Sequence, residues 1–308
     1  MIAIYIILFL ILIILLVSYI TYRMTFYSSG KAENLLLGDQ YEEYKKQMTE
    51  LENYAKSVPL EEVFITSYDG LMLCGRYYHY SDNAPVEIMM HGYKGTAQRD
   101  MGGGIKRCIE AERNVLIVDQ RAHGASEGRT ITFGIKERYD CLAWTNYVIS
   151  RFGKDTKILL TGISMGASTV LMATGLDLPK NVVGVLSDCG YSSPKEIIKK
   201  VVAERGYPVK LVYPFIKLGA RIFGGFNLEQ TDVINELKKC KVPVLFIHGE
   251  DDRFVPCQMT VENYNACPSK KMLFTVPGAG HGLCFLADNE GYINTLNAFT
   301  KEIFADEE

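Results

Sequence analysis

Ile158-Leu159-Leu160-Thr161-Gly162-Ile163-Ser164-Met165-Gly166-Ala167-Ser168 is the stretch on which the fold turns. The run up to Thr161 is apolar and predicts a buried strand. Gly162 and Gly166 then flank Ser164 as G-x-S-x-G, and small residues open a helix. Glycines here let the chain turn sharply and pass close to its neighbours. Ser164 is expected at the apex of that turn with its hydroxyl outward. The first N–H groups of the helix behind it suit developing negative charge. Taken alone, the pentapeptide reads equally well as a serine in a glycine-rich turn. The rest of the chain decides between the two.

Working outward, Val63–Ser67 and Leu71–Tyr78 read as strands joined by the turn Tyr68-Asp69-Gly70, a hairpin signal. Buried strands are expected at Val86–Met90, Asn114–Val118, Thr156–Thr161, Val182–Leu186, Val242–Ile247 and Lys271–Val276. Helices fill most gaps between them, at residues 99–113, 134–152, 164–175 and 287–304. Alternating strands and helices predict a parallel sheet with right-handed crossovers. Such a sheet gathers the ends of its strands at one edge, where ligands bind.

The polar residues able to do chemistry fall at those ends. His91-Gly92-Tyr93 follows one strand, Ser164 another, Glu250-Asp251-Asp252 a third, and Gly280-His281-Gly282 the last. The order Ser164, Asp252, His281 is an order in which nucleophile, orienting acid and base occur in serine hydrolases. A serine hydroxyl is a weak nucleophile until a base takes its proton, and the base needs an acid to fix its tautomer. The backbone N–H groups of Tyr93 and Met165 are the candidate oxyanion hole, and the Tyr93 ring is a candidate pocket wall. His91, Asp119 and His123 read as braces of their loops rather than as catalytic groups.

About fifty residues separate the strand at 182–186 from that at 242–247, long for a simple crossover. Helices expected over 195–203, 211–222 and 227–239 make this a cap inserted at about 192–240. Its aromatic residues, among them Tyr213, Phe215 and Phe226, are candidates for an acyl pocket, with Tyr191, Phe254 and Leu283 beside the strand ends. The alternative is that they only glue the cap to the core.

Ile2–Ile20 is an uncharged, almost wholly apolar run. As a helix it spans about 28 Å, close to the hydrocarbon thickness of a bilayer. No positive n-region precedes it and no clear cleavage site follows, so a retained anchor is favoured over a signal peptide. Arg23, Lys31, Lys45 and Lys46 follow the run, which predicts a single-pass protein with its large domain on the cytoplasmic side. Eight scattered cysteines fit reduced thiols better than a disulfide framework. Ser28–Gly38 reads as a linker, and Gln40–Lys56 as a helix with one apolar stripe, to which no chemistry is assigned. The expected organisation is an anchor at 1–27, linker and amphipathic helix at 28–58, and a catalytic domain at 59–308.

A net charge of -3 gives no support to a nucleic-acid partner. Four of the five histidines sit in motif loops, and no His-x-x-x-His spacing occurs. No metal or organic cofactor is therefore expected.

These motifs resemble those of the α/β-hydrolases, within the broad branch of monoacylglycerol lipases, serine aminopeptidases and bacterial membrane-anchored esterases. The resemblance covers roughly residues 60–305. It rests on His91-Gly92, Asp119-x-Arg121-x-His123-Gly124-x-Ser126, Gly162–Gly166, His248-Gly249-x-x-Asp252-x-x-Val255-Pro256 and Gly280-His281-Gly282. It implies a mostly parallel eight-stranded sheet flanked by helices, with the helical cap and N-terminal membrane helix added. It favours Asp252 over Asp251 as the triad acid. Ala122 stands where the family usually has glycine, and His-Gly-Tyr replaces the His-Gly-Gly-Gly of some lipases. The implied activity is hydrolysis of a small or medium acyl ester, possibly lipidic, through an acyl-enzyme. Peptidase or amidase action on the same triad is the first alternative. A non-catalytic binding protein is the second, disfavoured because all three triad residues are present. Epoxide hydrolysis would want Asp in place of Ser164.

Overall fold

The computed structural model describes residues 1–31 and 39–305. Its frame is an eight-stranded sheet in the order β1-β2-β4-β3-β5-β6-β7-β8. The strands are β1 (Glu61–Thr66), β2 (Met72–Tyr78), β3 (Val86–Met90), β4 (Asn114–Val118), β5 (Ile158–Ile163), β6 (Val182–Asp188), β7 (Val244–Gly249) and β8 (Lys271–Val276). β2 runs antiparallel to both its neighbours, and every other pairing is parallel.

Side chains alternate across the sheet, as the period of two requires. On one face Leu116, Val118, Ile158 and Leu160 pack into the largest core. It is covered by α5 (Glu137–Phe152) and α6 (Met165–Ala173). On the other face Met89, Val115 and Ile117 lie in the core beneath α3 (Lys45–Ser57) and α4 (Ala97–Glu110). Leu159, Leu186, Leu245 and Ile247 lie beneath α12 (Asn289–Phe304).

β3 carries a charge inside. Glu87 is fully buried between Arg107 Nη2 at 2.5 Å, Arg113 Nη1 at 3.2 Å and Thr161 Oγ1 at 2.6 Å. Burial alone would push its carboxyl up, but the two guanidinium groups outweigh that and hold it at about 2.

Between β6 and β7 run α7 (Pro194–Glu204), α8 (Val209–Ile222) and α9 (Val233–Leu237). Tyr213, Ile216 and Ala220 of α8 join the large core on the α5–α6 face. The same core receives the end of α1 (Ile2–Thr25), whose earlier turns are exposed. α1 is long and apolar enough to cross a membrane.

The chain just after α1 packs on the domain. Phe26 is fully buried, with its ring edge-on to Phe133 at 5.9 Å and to Phe226 at 5.2 Å. Ser28 N donates to the Arg129 carbonyl, and Gly124 N to that of Gly30. Of the expected linker Ser28–Gly38, residues 32–38 lie outside the described residues. The chain resumes at α2 (Asp39–Glu42), and α3 packs on α4 with the Leu51 backbone against Gly102.

Candidate active site

The turn after β5 is built as its residues dictate. A Cβ on Gly162 would strike the Gly166 backbone, and one on Gly166 would strike the backbone of Met90 and His91. Ser164 sits at φ 56°, ψ -117°, a backbone conformation costly for a residue with a side chain. Its N–H donates to the Asp188 carbonyl at 2.8 Å, which pins the turn to β6. The hydroxyl is aimed at the loop after β8. His281 Nε2 lies 2.9 Å from Ser164 Oγ, and His281 Nδ1 lies 2.6 Å from Asp252 Oδ2.

Asp252 is held from four directions. Phe254 N and Val255 N each donate to Oδ1 at 2.8 Å. Oδ2 receives His281 and, at 3.0 Å, His248 Nε2. Burial would push this carboxyl up, but the charge of His281 and the hydrogen bonds from both histidines hold it well below the usual carboxylate range. It is therefore an ionised acceptor, suited to keep the proton of His281 on Nδ1 and leave Nε2 facing the serine.

Tyr93 lines the cavity with Ser164, and Met165 follows Ser164 directly. Met165 is the first residue of α6, where N–H groups have no partner within the helix. The loop carrying Tyr93 is anchored by Asp100, whose Oδ2 accepts from Gly92 N at 3.1 Å. His91 Nε2 accepts from Gln120 N at 3.1 Å, and His123 Nε2 accepts from Lys94 N at 3.0 Å. The two imidazoles thus tie the loops after β3 and β4 together. Burial, with His91 beside it, pushes His123 down to about 3, so it is a neutral brace.

A cavity of about 530 Å³ opens on Ser164 and His281. Of the residues proposed for the pocket, Tyr93, Phe254 and Leu283 line it. Tyr191, Tyr213, Phe215 and Phe226 do not line it. The reason is topological: the cap covers the α5–α6 face, and the cavity opens on the opposite one. Tyr191 is buried in the large core, Tyr213 donates its hydroxyl to Glu229, and Phe226 packs on Phe26. Tyr41, Met48 and Leu51 from α2–α3, Ile163, and Phe285 and Leu286 supply the walls instead. The stripe Tyr41-Met48-Leu51 was visible in the sequence, but nothing there named its partner. Tyr41 also donates its hydroxyl to the His281 carbonyl at 3.0 Å.

Two buried groups beside the relay were not anticipated. Asp188 lines the cavity, accepts from Tyr292 at 3.2 Å through Oδ2, and has no hydrogen-bond partner at Oδ1. Burial pushes its carboxyl up to about 6. Cys189 has its sulfur within 4.8 Å of ligand atoms of Asp252 and His281. Those two residues are already bonded to each other, and burial raises the thiol well above its ordinary range. The cluster reads as part of the relay's packing rather than as a metal centre.

No family model matches the chain. Among curated proteins it is 28% identical over 191 residues to the uncharacterized protein YqkD of Bacillus subtilis, covering 60% of this chain and 61% of that one. It is 27% identical over 192 residues to protein bem46 of Schizosaccharomyces pombe, covering 61% and 58%. The match thus spans about three fifths of the length of these relatives. Among solved structures it superposes on an esterase of Pyrococcus furiosus with a TM-score of 0.63 and 22% identity, covering 90% of this chain and 98% of that one. The α/β-hydrolase GrgF from Penicillium gives a TM-score of 0.65 and 18% identity over 81% of this chain and all of that one. Strand order, a serine turn after β5 and the likeness to these structures lead to one conclusion: the chain has the α/β-hydrolase fold.

Proposed function

We propose that this chain is a membrane-anchored serine hydrolase that cleaves a carboxylic ester through an acyl-enzyme. The reading is carried by one observation, the unbroken relay from Ser164 Oγ through His281 to Asp252. Ser164 attacks the acyl carbonyl while His281 Nε2 takes its proton. Asp252 holds the imidazole and stabilises its cation. The N–H groups of Tyr93 and Met165 receive the oxyanion. Collapse of the tetrahedral intermediate expels the alcohol, which takes its proton from His281. A water deprotonated by the same nitrogen then releases the acid and restores the serine.

The acyl chain fits the cavity beside Ser164, walled by Met48, Leu51, Ile163 and Phe285. A mostly apolar wall suits a small or medium aliphatic acyl group. α1 anchors the enzyme, and the basic residues that follow it favour a cytoplasmic catalytic domain.

The test is labelling of the purified full chain with a fluorophosphonate, beside Ser164→Ala and His281→Ala. Labelling is expected in the wild type, absent in Ser164→Ala and much reduced in His281→Ala. Ester turnover should fall on the order of 10⁴- to 10⁶-fold in Ser164→Ala. Full labelling of Ser164→Ala, or no labelling and no ester turnover by folded wild type, would overturn the assignment. Aminoacyl amides run beside acyl esters of graded length separate peptidase from esterase action.

A further inference from the structure

An amphipathic helix on a globular domain needs one apolar stripe, but α8 carries two. Tyr213, Ile216 and Ala220 face the core. Leu211, Phe215, Leu218 and Ile222 recur at four-, three- and four-residue spacing, which places them along a separate side of the helix. Leu211 is 63% exposed and Ile222 48% exposed, while Phe215 and Leu218 are half-buried. Lys210, Lys217 and Arg221 fall on a third sector, at seven- and four-residue steps of their own.

Gly219 lies next to the outer stripe and meets α1. It has no side chain, and a Cβ there would strike the Ser18 carbonyl and approach Tyr22 Cβ at 3.1 Å. The Phe223 ring, one residue past α8, stands 5.1 Å from Tyr19 and 6.0 Å from Tyr22. These contacts fix the depth at which α8 meets α1. Ser18 lies inside the uncharged run, which continues to Tyr22 before Arg23. At 1.5 Å per residue, about 24 Å separates Ile2 from Ser18, less than the roughly 30 Å of a hydrocarbon core.

If α1 spans the bilayer, the part of α8 that touches Ser18 lies at the boundary of acyl chains and headgroups. The geometry points to α8 as a second membrane contact: its outer stripe is immersed in the lipid interface, with Lys210 and Arg221 placed for lipid phosphates. The inference rests on the membrane reading of α1 and extends it. Interfacial helices bury an apolar face about 5–10 Å into this zone and carry basic residues beside it. The catalytic domain is then seated on the bilayer at two points. The reactive site is near the first of them, because Tyr93, which lines the cavity, donates its hydroxyl to the Thr25 carbonyl at the end of α1.

Tryptophan quenching tests this on the full chain in nanodiscs of phosphatidylcholine brominated on its acyl chains. The native Trp144 is fully buried and gives the background. Tyr5→Trp in α1 reports insertion of the anchor, and Asp155→Trp, exposed at the opposite end of β5, reports bulk water. Leu211→Trp and Ile222→Trp should each be quenched at least about half as strongly as Tyr5→Trp, with a blue-shifted emission, as immersion in the interface requires. Quenching no greater than that of Asp155→Trp, with Tyr5→Trp fully quenched, overturns the inference and leaves the anchor standing. A blue shift without quenching means that protein, such as a second copy, covers the stripe, and also overturns it. An unquenched Tyr5→Trp removes the membrane reading of α1, and the inference with it. None of these outcomes bears on the Ser164 assignment, which the labelling test decides.

Discussion

Two helical segments lie on opposite faces of the same sheet, and only one of them lines the cavity at Ser164. α7–α9 sit over the α5–α6 face, bind the end of α1 and leave the cavity unlined. α2–α3 sit over the other face, pack on α4, and contribute Tyr41, Met48 and Leu51 to the cavity. By sequence the first looked like the substrate cap and the second like an accessory helix. The difference teaches that an apolar stripe records the existence of a partner and not its identity. A stripe rich in aromatics is as well spent on a neighbouring helix as on a ligand.

The largest test of this contrast is at Phe26. If the segment after α1 is part of the core, Phe26→Ala should cost about 3–5 kcal/mol, the usual loss for a buried ring. Phe223→Ala, more exposed on the cap side, should cost well under half as much. Chemical unfolding of both variants in detergent micelles measures the difference. Equal, small losses would return the segment to the status of a tether.

In the cavity wall, Asp188 offers a pH test. Its folded-state value of about 6 lies above that of a carboxyl in an unfolded chain, so the folded protein binds the extra proton. Stability from this group is present below about pH 4, is lost as pH rises through about 6, and stays lost above. Asp188→Asn removes the loss. Relative to wild type it should gain on the order of 2 kcal/mol between pH 4 and pH 7. Asp252 acts with the opposite sign, since its carboxyl is held low and its contribution disappears only as the medium becomes strongly acid. A wild-type-minus-Asp188→Asn difference that does not change with pH would show that Asp188 titrates alike in the folded and unfolded chain.

Leu51 tests the division of labour directly. Its backbone rests on Gly102, and its side chain lines the cavity with Phe285. Leu51→Trp should lower kcat/KM for long acyl esters by about 10- to 100-fold, the scale of a few methylenes excluded from a pocket. Acetyl esters should be nearly unaffected. Phe215→Ala on α8 should leave the chain-length profile unchanged. The reverse pattern would restore the cap as the acyl site.

The edge that carries the candidate site was legible because its signals are local. A strand running into Gly162-Ile163-Ser164-Met165-Gly166, and Asp252 and His281 just past two later strands, need only parallel pairing to converge. The resemblance to α/β-hydrolases then separated Asp252 from Asp251. The pocket was not legible, since lining depends on which face each connection crosses. Glu87 was hidden for a similar reason: its partners Arg107, Arg113 and Thr161 come from α4, the turn after it and β5. Asp188 closes a strand whose last residue could equally have faced water.

Tyr41 gives the smallest expected effect and bears most directly on the comparison. It is the one side chain of the α2–α3 segment that both lines the cavity and bonds to the loop of His281. Its hydroxyl donates to the backbone carbonyl of His281 and does not touch the imidazole, so it acts on the position of the ring and not on its proton. Gln40 Nε2 adds a weaker bond, at 3.3 Å, to the carbonyl of Asp251 beside Asp252. The segment thus holds the backbone beside both relay partners of Ser164. Removing a single neutral hydrogen bond costs about 0.5–1.5 kcal/mol. If that cost falls on the positioned relay, Tyr41→Phe should lower kcat by about 2- to 10-fold, by the same conversion. KM should barely move, because the ring and its apolar contacts remain. Tyr41→Ala opens the cavity wall as well and should raise KM in addition. A kcat unchanged in Tyr41→Phe, with KM raised in Tyr41→Ala, would make the α2–α3 segment a wall of the pocket only, with His281 held by its own loop.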